Sequence, residues 1–95
     1  MNPQEPTATY NVVAKVVWQT GRCNAHHKAG DEWILGHETP QGICIWAWQA
    51  IFPFVSIYRY GGSLPWKEGP DRVTLVCPDP VNKVCFEVRR GERVA

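Results

Sequence analysis

The chain has 95 residues, with ten Lys and Arg against nine Asp and Glu, and an apolar fraction of 44% that includes five Trp. This length allows one small domain, and the abundance of large apolar side chains excludes a disordered chain. The near balance of charge gives no electrostatic reason to expect a nucleic-acid or membrane partner. The sequence shows neither a signal-peptide pattern nor an uninterrupted apolar run of membrane-spanning length, so we expect a cytoplasmic protein.

The first part of the chain predicts an arm, two strands and a loop. Residues 1–9 are polar and contain proline, which predicts a disordered or extended arm before a single domain at residues 10–95. Tyr10–Trp18 has the β-rich, alternating pattern of a strand with at least one apolar face. The polar segment Thr20–Gly30 is bounded by glycines and predicts a loop, and Glu32–Leu35 predicts a short second strand.

The middle of the chain predicts one helix. Thr39 and Pro40 indicate its start, because Thr caps a first turn and Pro fits the first helical position. The apolar residues that follow at helical spacing leave only a narrow polar stripe, which predicts a helix buried on most sides or used in an oligomer contact. Pro53 removes a backbone hydrogen bond and predicts a kink or break with a short continuation toward Tyr60, and Gly61 and Gly62 predict the end.

Two further strands follow the helix. Arg72–Cys77 and Val84–Arg90 flank a Pro-Asp-Pro segment, and their pattern predicts an antiparallel hairpin. The order of elements is then β-β-α-β-β. We therefore expect an α+β fold in which a small, mostly antiparallel sheet packs on one buried helix that is broken at Pro53.

The loop before the second strand contains candidate metal ligands. Cys23 precedes His26 and His27 at a spacing that suits a metal, and zinc binds both residue types. Cys44 and Cys77 would complete a four-ligand zinc site. The full zinc signature of two close-spaced ligand pairs is absent, so isolated loop or core residues are the favoured interpretation of this set.

The same residues also suggest a reactive thiol. Cys44 is predicted in the first turns of the helix, where the positive end of the dipole lowers a thiol pKa. Cys44 or Cys23 would be the nucleophile, His27 the base and Asp31 the group that orients the imidazole. A small core residue is the favoured interpretation of Cys44, since free Cys is among the most buried residue types. His37 is interpreted as a solvated loop residue.

Aromatic and basic residues around the helix suggest ligand binding. Trp48 and Trp66 are candidate walls of a small-molecule pocket, although core packing is the commoner role of Trp in a small domain. Trp46 and Trp48 lie two positions apart and cannot share one helix face. Arg59 and Lys67 flank the glycine pair after the helix and are candidate anion ligands, although a surface ion pair is the favoured interpretation.

Four short motifs together resemble those of an uncharacterised family of short prokaryotic proteins. The motifs are Cys23-x-x-x-His27-Lys28-x-Gly30-Asp31, Cys44-x-Trp46-Ala47-Trp48, Gly61-Gly62-x-x-Pro65-Trp66 and Cys77-Pro78-Asp79. The resemblance covers residues 10–90, and its Trp-Ala-Trp and Gly-Gly-x-x-Pro-Trp parts are the most specific. It implies that Cys23, Cys44 and Cys77 belong together and that the position of His27 varies. It implies no reaction.

The first hypothesis is a small-molecule-binding or small catalytic domain with a cysteine-rich pocket at the helix N-terminus. Thiols, rings and the positive end of the helix dipole would converge there, which suits a small anionic or electrophilic ligand of unknown reaction. The expected pocket residues are Cys23, Cys44, Cys77, His27, Trp48 and Trp66. One alternative is a structural zinc domain built on the same cysteines and His27. Another is a homo-oligomeric interaction module that uses Ile45 and Phe52.

Overall fold

The computed structural model of the chain describes residues 8–22, 26–66 and 68–94. These residues form strands β1 (Tyr10–Gln19) and β2 (Glu32–Leu35), helix α1 (Ile45–Arg59), and strands β3 (Arg72–Val76) and β4 (Val84–Arg93). The predicted α+β class and the order β-β-α-β-β are confirmed. Residues 1–7 of the predicted arm, Cys23 and Lys67 lie outside the described residues.

Within the described residues, four strands form one antiparallel sheet in the order β2-β1-β4-β3. The predicted hairpin is present, because β3 and β4 pair antiparallel with Leu75 opposite Phe86. Strands β1 and β4 are neighbours at the centre, where Val12 lies opposite Arg90 and Val16 lies opposite Phe86. The first and last strands therefore hold the middle of the sheet, and the two shorter strands form its edges.

One face of the sheet carries the core, because successive side chains of a strand point to opposite faces. β1 contributes Val12 and Val16 to this face and β4 contributes Phe86, all fully buried. Helix α1 packs over them with Ile51 and Tyr58, which are also fully buried. Burial of side chains of this size stabilises a fold by about 1.5–3 kcal/mol each, so this contact between helix and sheet is the main source of stability.

Helix α1 begins later than the sequence predicts. Cys44 is its N-cap, and Cys44 Sγ accepts a hydrogen bond from the Ala47 backbone N–H at 3.4 Å. The predicted start at Thr39 and Pro40 is wrong, because Gly42 has a left-handed φ of 93° that a right-handed helix cannot contain. A thiol therefore occupies the capping position at which Ser, Thr, Asp or Asn is usual.

The helix does not break at Pro53, which lies inside α1. Proline removes the hydrogen bond to the carbonyl four residues earlier, at Gln49. Both residues are exposed, so that carbonyl lies on the solvent side of the helix, where water can replace the missing donor. The helix ends at the predicted glycine pair: Gly61 has a φ of 79°, and the Gly62 N–H donates to the Ile57 carbonyl at 2.9 Å.

The side of α1 away from the sheet forms an outer helix face, defined by Ile45, Trp46, Gln49, Phe52 and Pro53. Ile45 is 76% exposed, Trp46 66% and Phe52 51%. The sequence predicts a helix buried on most sides, whereas within a single chain this face is open. None of its side chains carries a formal charge. No helix in the described part of the chain is long and apolar enough to cross a membrane.

Candidate functional site

A cleft lies between the segment that follows β2 and one side of α1. Its volume is about 200 Å³. Gly36–Thr39 forms the loop wall, and the helix wall includes Trp48, Phe52, Ser56 and Arg59. These four positions form a stripe, since residues three or four apart lie on the same side of a helix. The cleft is therefore produced where one stripe of α1 meets the loop after β2.

Arg59 is the charged group of the helix wall and is only 5% exposed. Its Nη1 donates to the Tyr10 carbonyl oxygen at 3.3 Å, and its Nη2 lies 3.2 Å from His37 Nδ1. The guanidinium carbon also lies 5.8 Å from the centre of the Tyr60 ring. Among the described residues, Arg59 has no carboxylate partner. Because a guanidinium has five N–H donors, these neutral contacts leave part of its donor capacity unused.

The contact with Arg59 fixes the tautomer of His37. A guanidinium only donates, so His37 Nδ1 accepts and the ring proton lies on Nε2. His37 therefore carries its ring N–H on Nε2 and lines the loop wall. Glu38 and Thr39 lie on the same wall, and Ser56 on the helix wall adds a second hydroxyl.

Aromatic and aliphatic side chains form the rest of the cleft. The rings of Trp48 and Phe52 are in contact, with centroids 5.4 Å apart and planes inclined at 51°. Val55 and Tyr60 also line the cleft. An apolar surface with a few placed polar groups is typical of a small-molecule site, because the polar groups orient a ligand whose body is held by apolar contact.

The predicted nucleophile and base lie close together, but their hydrogen bonds go elsewhere. His27 is 4% exposed, and its Nε2 accepts from the Cys44 backbone N–H at 3.0 Å. The Cys44 thiol accepts from Ala47, and Asp31 Oδ2 accepts from the Lys28 backbone N–H at 3.1 Å. Burial lowers the pKa of His27, and the charge of Asp31 opposes this shift. In these contacts His27 connects its loop to the start of α1 and does not bind the thiol.

Cys77 and the second predicted tryptophan wall belong to other parts of the fold. Cys77 Sγ accepts from the Val84 backbone N–H at 3.3 Å, where the β3–β4 connection closes. Trp66 is 44% exposed, and its ring centroid lies 6.4 Å from that of Phe54. Trp48 instead lines the cleft with Phe52, so the two predicted walls belong to separate ring pairs.

The predicted zinc ligands do not gather in the part of the chain that the structure describes. No group of three or more His, Cys, Asp or Glu there could hold a metal ion, so His27, Cys44 and Cys77 do not form a three-ligand site. The fourth predicted ligand, Cys23, lies outside the described residues. Cys44, Cys77 and Cys85 are free thiols. Burial raises the pKa of Cys85, which lowers its thiolate fraction and makes it a poor nucleophile.

Comparisons with known proteins give no evidence about function. The chain matches no family model, no curated protein and no solved structure. The resemblance to a family of short prokaryotic proteins therefore rests on the sequence motifs alone.

The sequence predicts some of the residues that line the cleft but not all of them. Trp48 and Arg59 are predicted ligand-binding residues, and the structure places both in the cleft. His37 is exposed, as its interpretation as a solvated loop residue requires, yet it contacts the Arg59 guanidinium. Ser56 was also missed. The available signal was the spacing of Trp48, Phe52, Ser56 and Arg59, which places two rings, a hydroxyl and a cation on one helix stripe.

Proposed function

We propose that this protein binds a small anionic molecule in the cleft, with Arg59 as the anion ligand. The observation that carries the proposal is an arginine that is 5% exposed and whose guanidinium has no carboxylate partner among the described residues. A buried charge without an ionic partner is destabilising, the negative end of the α1 dipole compensates Arg59 only in part, and an anion in the cleft would supply the missing partner. The predicted function of small-molecule binding is kept, while the proposed pocket moves from the start of α1 to the stripe that ends at Arg59.

The surroundings of Arg59 suit recognition of a ligand. Contacts with Tyr10 and His37 hold the guanidinium in place, and a preorganised donor loses less conformational entropy when a ligand binds. The rings of Trp48 and Phe52 would contact the ligand body. We propose binding at this cleft and assign no reaction to it.

The proposal does not depend on the cysteines. Cys44 and Cys77 each accept a hydrogen bond from a backbone N–H, which favours a structural role for both thiols. The cysteine-rich pocket that includes Cys23 stays a separate hypothesis. A cytoplasmic location is part of the proposal, because a reducing compartment keeps thiols free.

A second candidate function is self-association through the outer helix face. The observation that favours it is the exposure of Ile45 and Trp46 on a surface without charge, where two copies can meet without repulsion. Such a contact would also bury the side of α1 that the sequence predicts to be buried. We therefore propose a homodimer in which the outer helix faces of two chains pack together.

Anion titration tests the proposed cleft. We expect at least one of acetate, benzoate and phosphate, added at constant ionic strength, to raise Tm and to shift the amide resonances of Gly36–Thr39. A ligand present at 100 times its Kd would stabilise the fold by about 2.7 kcal/mol. The Trp48 indole resonance should shift with the same Kd, because Trp48 lines the same cleft.

The matched variants are Arg59→Met and Arg89→Met. Arg59→Met removes the buried charge while keeping an unbranched side chain, and it should abolish the response to the anion. Arg89 lies in β4 and pairs with Glu87 at 3.7 Å, so Arg89→Met removes a charge outside the cleft and should respond like the wild type. An unchanged response in Arg59→Met, or no response of the wild type to any of the three anions, would show that the proposed function is wrong.

A further inference from the structure

We infer that the ligand of the cleft is a monocarboxylate with a short, flat apolar body, of the size and charge of benzoate. This inference rests on the proposed function and adds the chemical class of the ligand. Three properties of the cleft carry it: its charge, the geometry of its donors and its size.

The charge of the cleft favours a monoanion over a phosphate ester. Arg59 is one cation, and the carboxylate of Glu38 lines the same cleft. Arg59 is also the last residue of α1, so the anion would sit near the negative end of the helix dipole. A phosphate monoester carries a charge of about −1.5 to −2 at pH 7, which one guanidinium in this setting does not neutralise. Sites for phosphate typically use the opposite, N-terminal end of a helix.

The donors of Arg59 match a carboxylate. A guanidinium is planar and presents its N–H groups as a fork that fits two coplanar oxygens. Nη1 and Nη2 of Arg59 each use a contact to a neutral acceptor, on Tyr10 and His37, which fixes the plane of the fork. The donor capacity that is left can bind the two oxygens of a carboxylate, and the charge and size of the cleft decide between a carboxylate and a phosphate.

The size and walls of the cleft define the ligand body. A volume of about 200 Å³ is smaller than the ~300–1,000 Å³ of sites for drug-sized ligands. Trp48, Phe52 and Val55 provide the apolar walls. The inclined ring pair of Trp48 and Phe52 offers both a ring face and a ring edge to a flat ligand. A single aromatic or branched aliphatic group fills such a space.

Three ligands that share one ring test the inference. Benzoate is the probe, benzamide is its neutral analogue, and phenyl phosphate carries the same ring with a dianionic head. We expect benzoate to shift the resonances of Gly36–Thr39 and of the Trp48 indole in an NMR titration. Benzamide should bind at least about tenfold more weakly, because a hydrogen bond to a charged partner is lost. Phenyl phosphate should also bind more weakly than benzoate.

The outcomes separate the ligand class from the proposed function. Tighter binding of phenyl phosphate, lost in Arg59→Met, would overturn the monocarboxylate and leave the anion cleft in place. Equal binding of benzamide and benzoate would overturn both, since Arg59 would then not recognise charge. No shift with any of the three probes would overturn the ligand class, and the wider anion titration would decide the proposed function.

A second variant tests the inference if Arg59→Met does not fold. Ser56→Leu fills the helix wall of the cleft from a half-buried position and leaves Arg59 unchanged. We expect this variant to keep the fold, judged by its amide spectrum, and to lose benzoate binding by at least about tenfold through steric exclusion. Benzoate binding that survives in Ser56→Leu would place the ligand outside the cleft and overturn the inference.

Discussion

The two sides of the molecule that face solvent differ in charge. On the open sheet face, the side of the sheet turned away from α1, Glu32, Lys15 and Glu87 lie opposite one another on neighbouring strands. These alternating charges form favourable cross-strand pairs and discourage contact with other apolar surfaces. The outer helix face has no charge and exposes Ile45 and Trp46 instead. The charged side of the sheet therefore suits contact with solvent. Both proposed binding surfaces, the cleft and the outer helix face, lie on the helix side.

The largest loss of stability is expected in β4, because this strand contributes side chains to both faces of the sheet. Phe86 of β4 is fully buried against α1, and its neighbour Glu87 points to the open sheet face. Phe86→Ala should lower the free energy of unfolding by about 3–5 kcal/mol, because it leaves a cavity under the helix. Glu87→Ala should change it by less than about 0.5 kcal/mol. Urea unfolding of the two variants measures the difference, and equal losses would contradict the one-sided core.

Self-association tests whether the outer helix face, and not the open sheet face, contacts a second chain. Ile45 on the outer helix face is 76% exposed, and Ile34 on the open sheet face is 69% exposed, so the two are matched in type and exposure. We expect light scattering to give a dimer mass for the wild type, a monomer mass for Ile45→Asp and a dimer mass for Ile34→Asp. A wild type that is monomeric at every concentration would refute the proposed dimer. A monomer formed only by Ile34→Asp would place the contact on the sheet side.

The contact between His27 and the start of α1 should make stability depend on pH. Burial lowers the pKa of His27 below its usual 6.5, so the unfolded chain takes up the proton first as the pH falls. The stabilising contribution is therefore complete above pH 6.5 and decreases below it. We expect urea unfolding to show lower stability at about pH 5.5 than at about pH 7.5.

His27→Gln is the variant for this prediction, because its amide oxygen can still accept from the Cys44 N–H but does not titrate. Its stability should fall less between the two pH values than that of the wild type. His26→Asn changes the neighbouring exposed histidine, at a position of positive φ that Asn tolerates, and should keep the full decrease. A full decrease in His27→Gln would assign the pH dependence to other groups.

The smallest change in the free energy of unfolding is expected at Cys44, the N-cap of α1. Cys44→Ala removes the acceptor of the Ala47 N–H and should lower the free energy of unfolding by about 0.5 kcal/mol, at the low end for loss of a cap. Cys44→Ser restores a usual capping group and should equal or exceed the wild type. Thermal unfolding compares the two. A serine variant as unstable as the alanine variant would show that the thiol packs and does not cap.

Local patterns in the sequence were sufficient for the order of the elements. The alternation in β1, the pattern of the β3–β4 hairpin and the Gly61-Gly62 end of the helix depend on neighbouring residues, and each agrees with the structure. The start of α1 was misplaced because Thr39 and Pro40 form a good helix start that the left-handed Gly42 prevents from continuing. The break at Pro53 was wrong because its cost depends on exposure, which a sequence does not give.

The cleft could be predicted only in part, because its two walls are distant in sequence. The helix stripe from Trp48 to Arg59 can be read from spacing alone. The loop wall cannot, since His37 reaches Arg59 only after β2 has paired with β1 and α1 has packed on the sheet. The absence of a carboxylate partner for Arg59 in the described part of the chain is likewise a property of the fold. Whether an arginine forms a surface ion pair or binds a ligand depends on its burial. Burial is set by the packing of the folded chain.

The central position of β1 and β4 has a consequence for how the chain is made. β1 lies between β2 and β4, and beyond their paired residues the Val94 N–H donates to the Thr9 carbonyl at 2.8 Å. Contacts between such distant residues slow folding, because a long loop must close before they form. On the ribosome, β1 must wait for its second partner until β4 has been synthesised. The apolar face of β1 is therefore available for aggregation until β4 has been synthesised, and a chain that lacks β4 would lack one of the two central strands of the sheet.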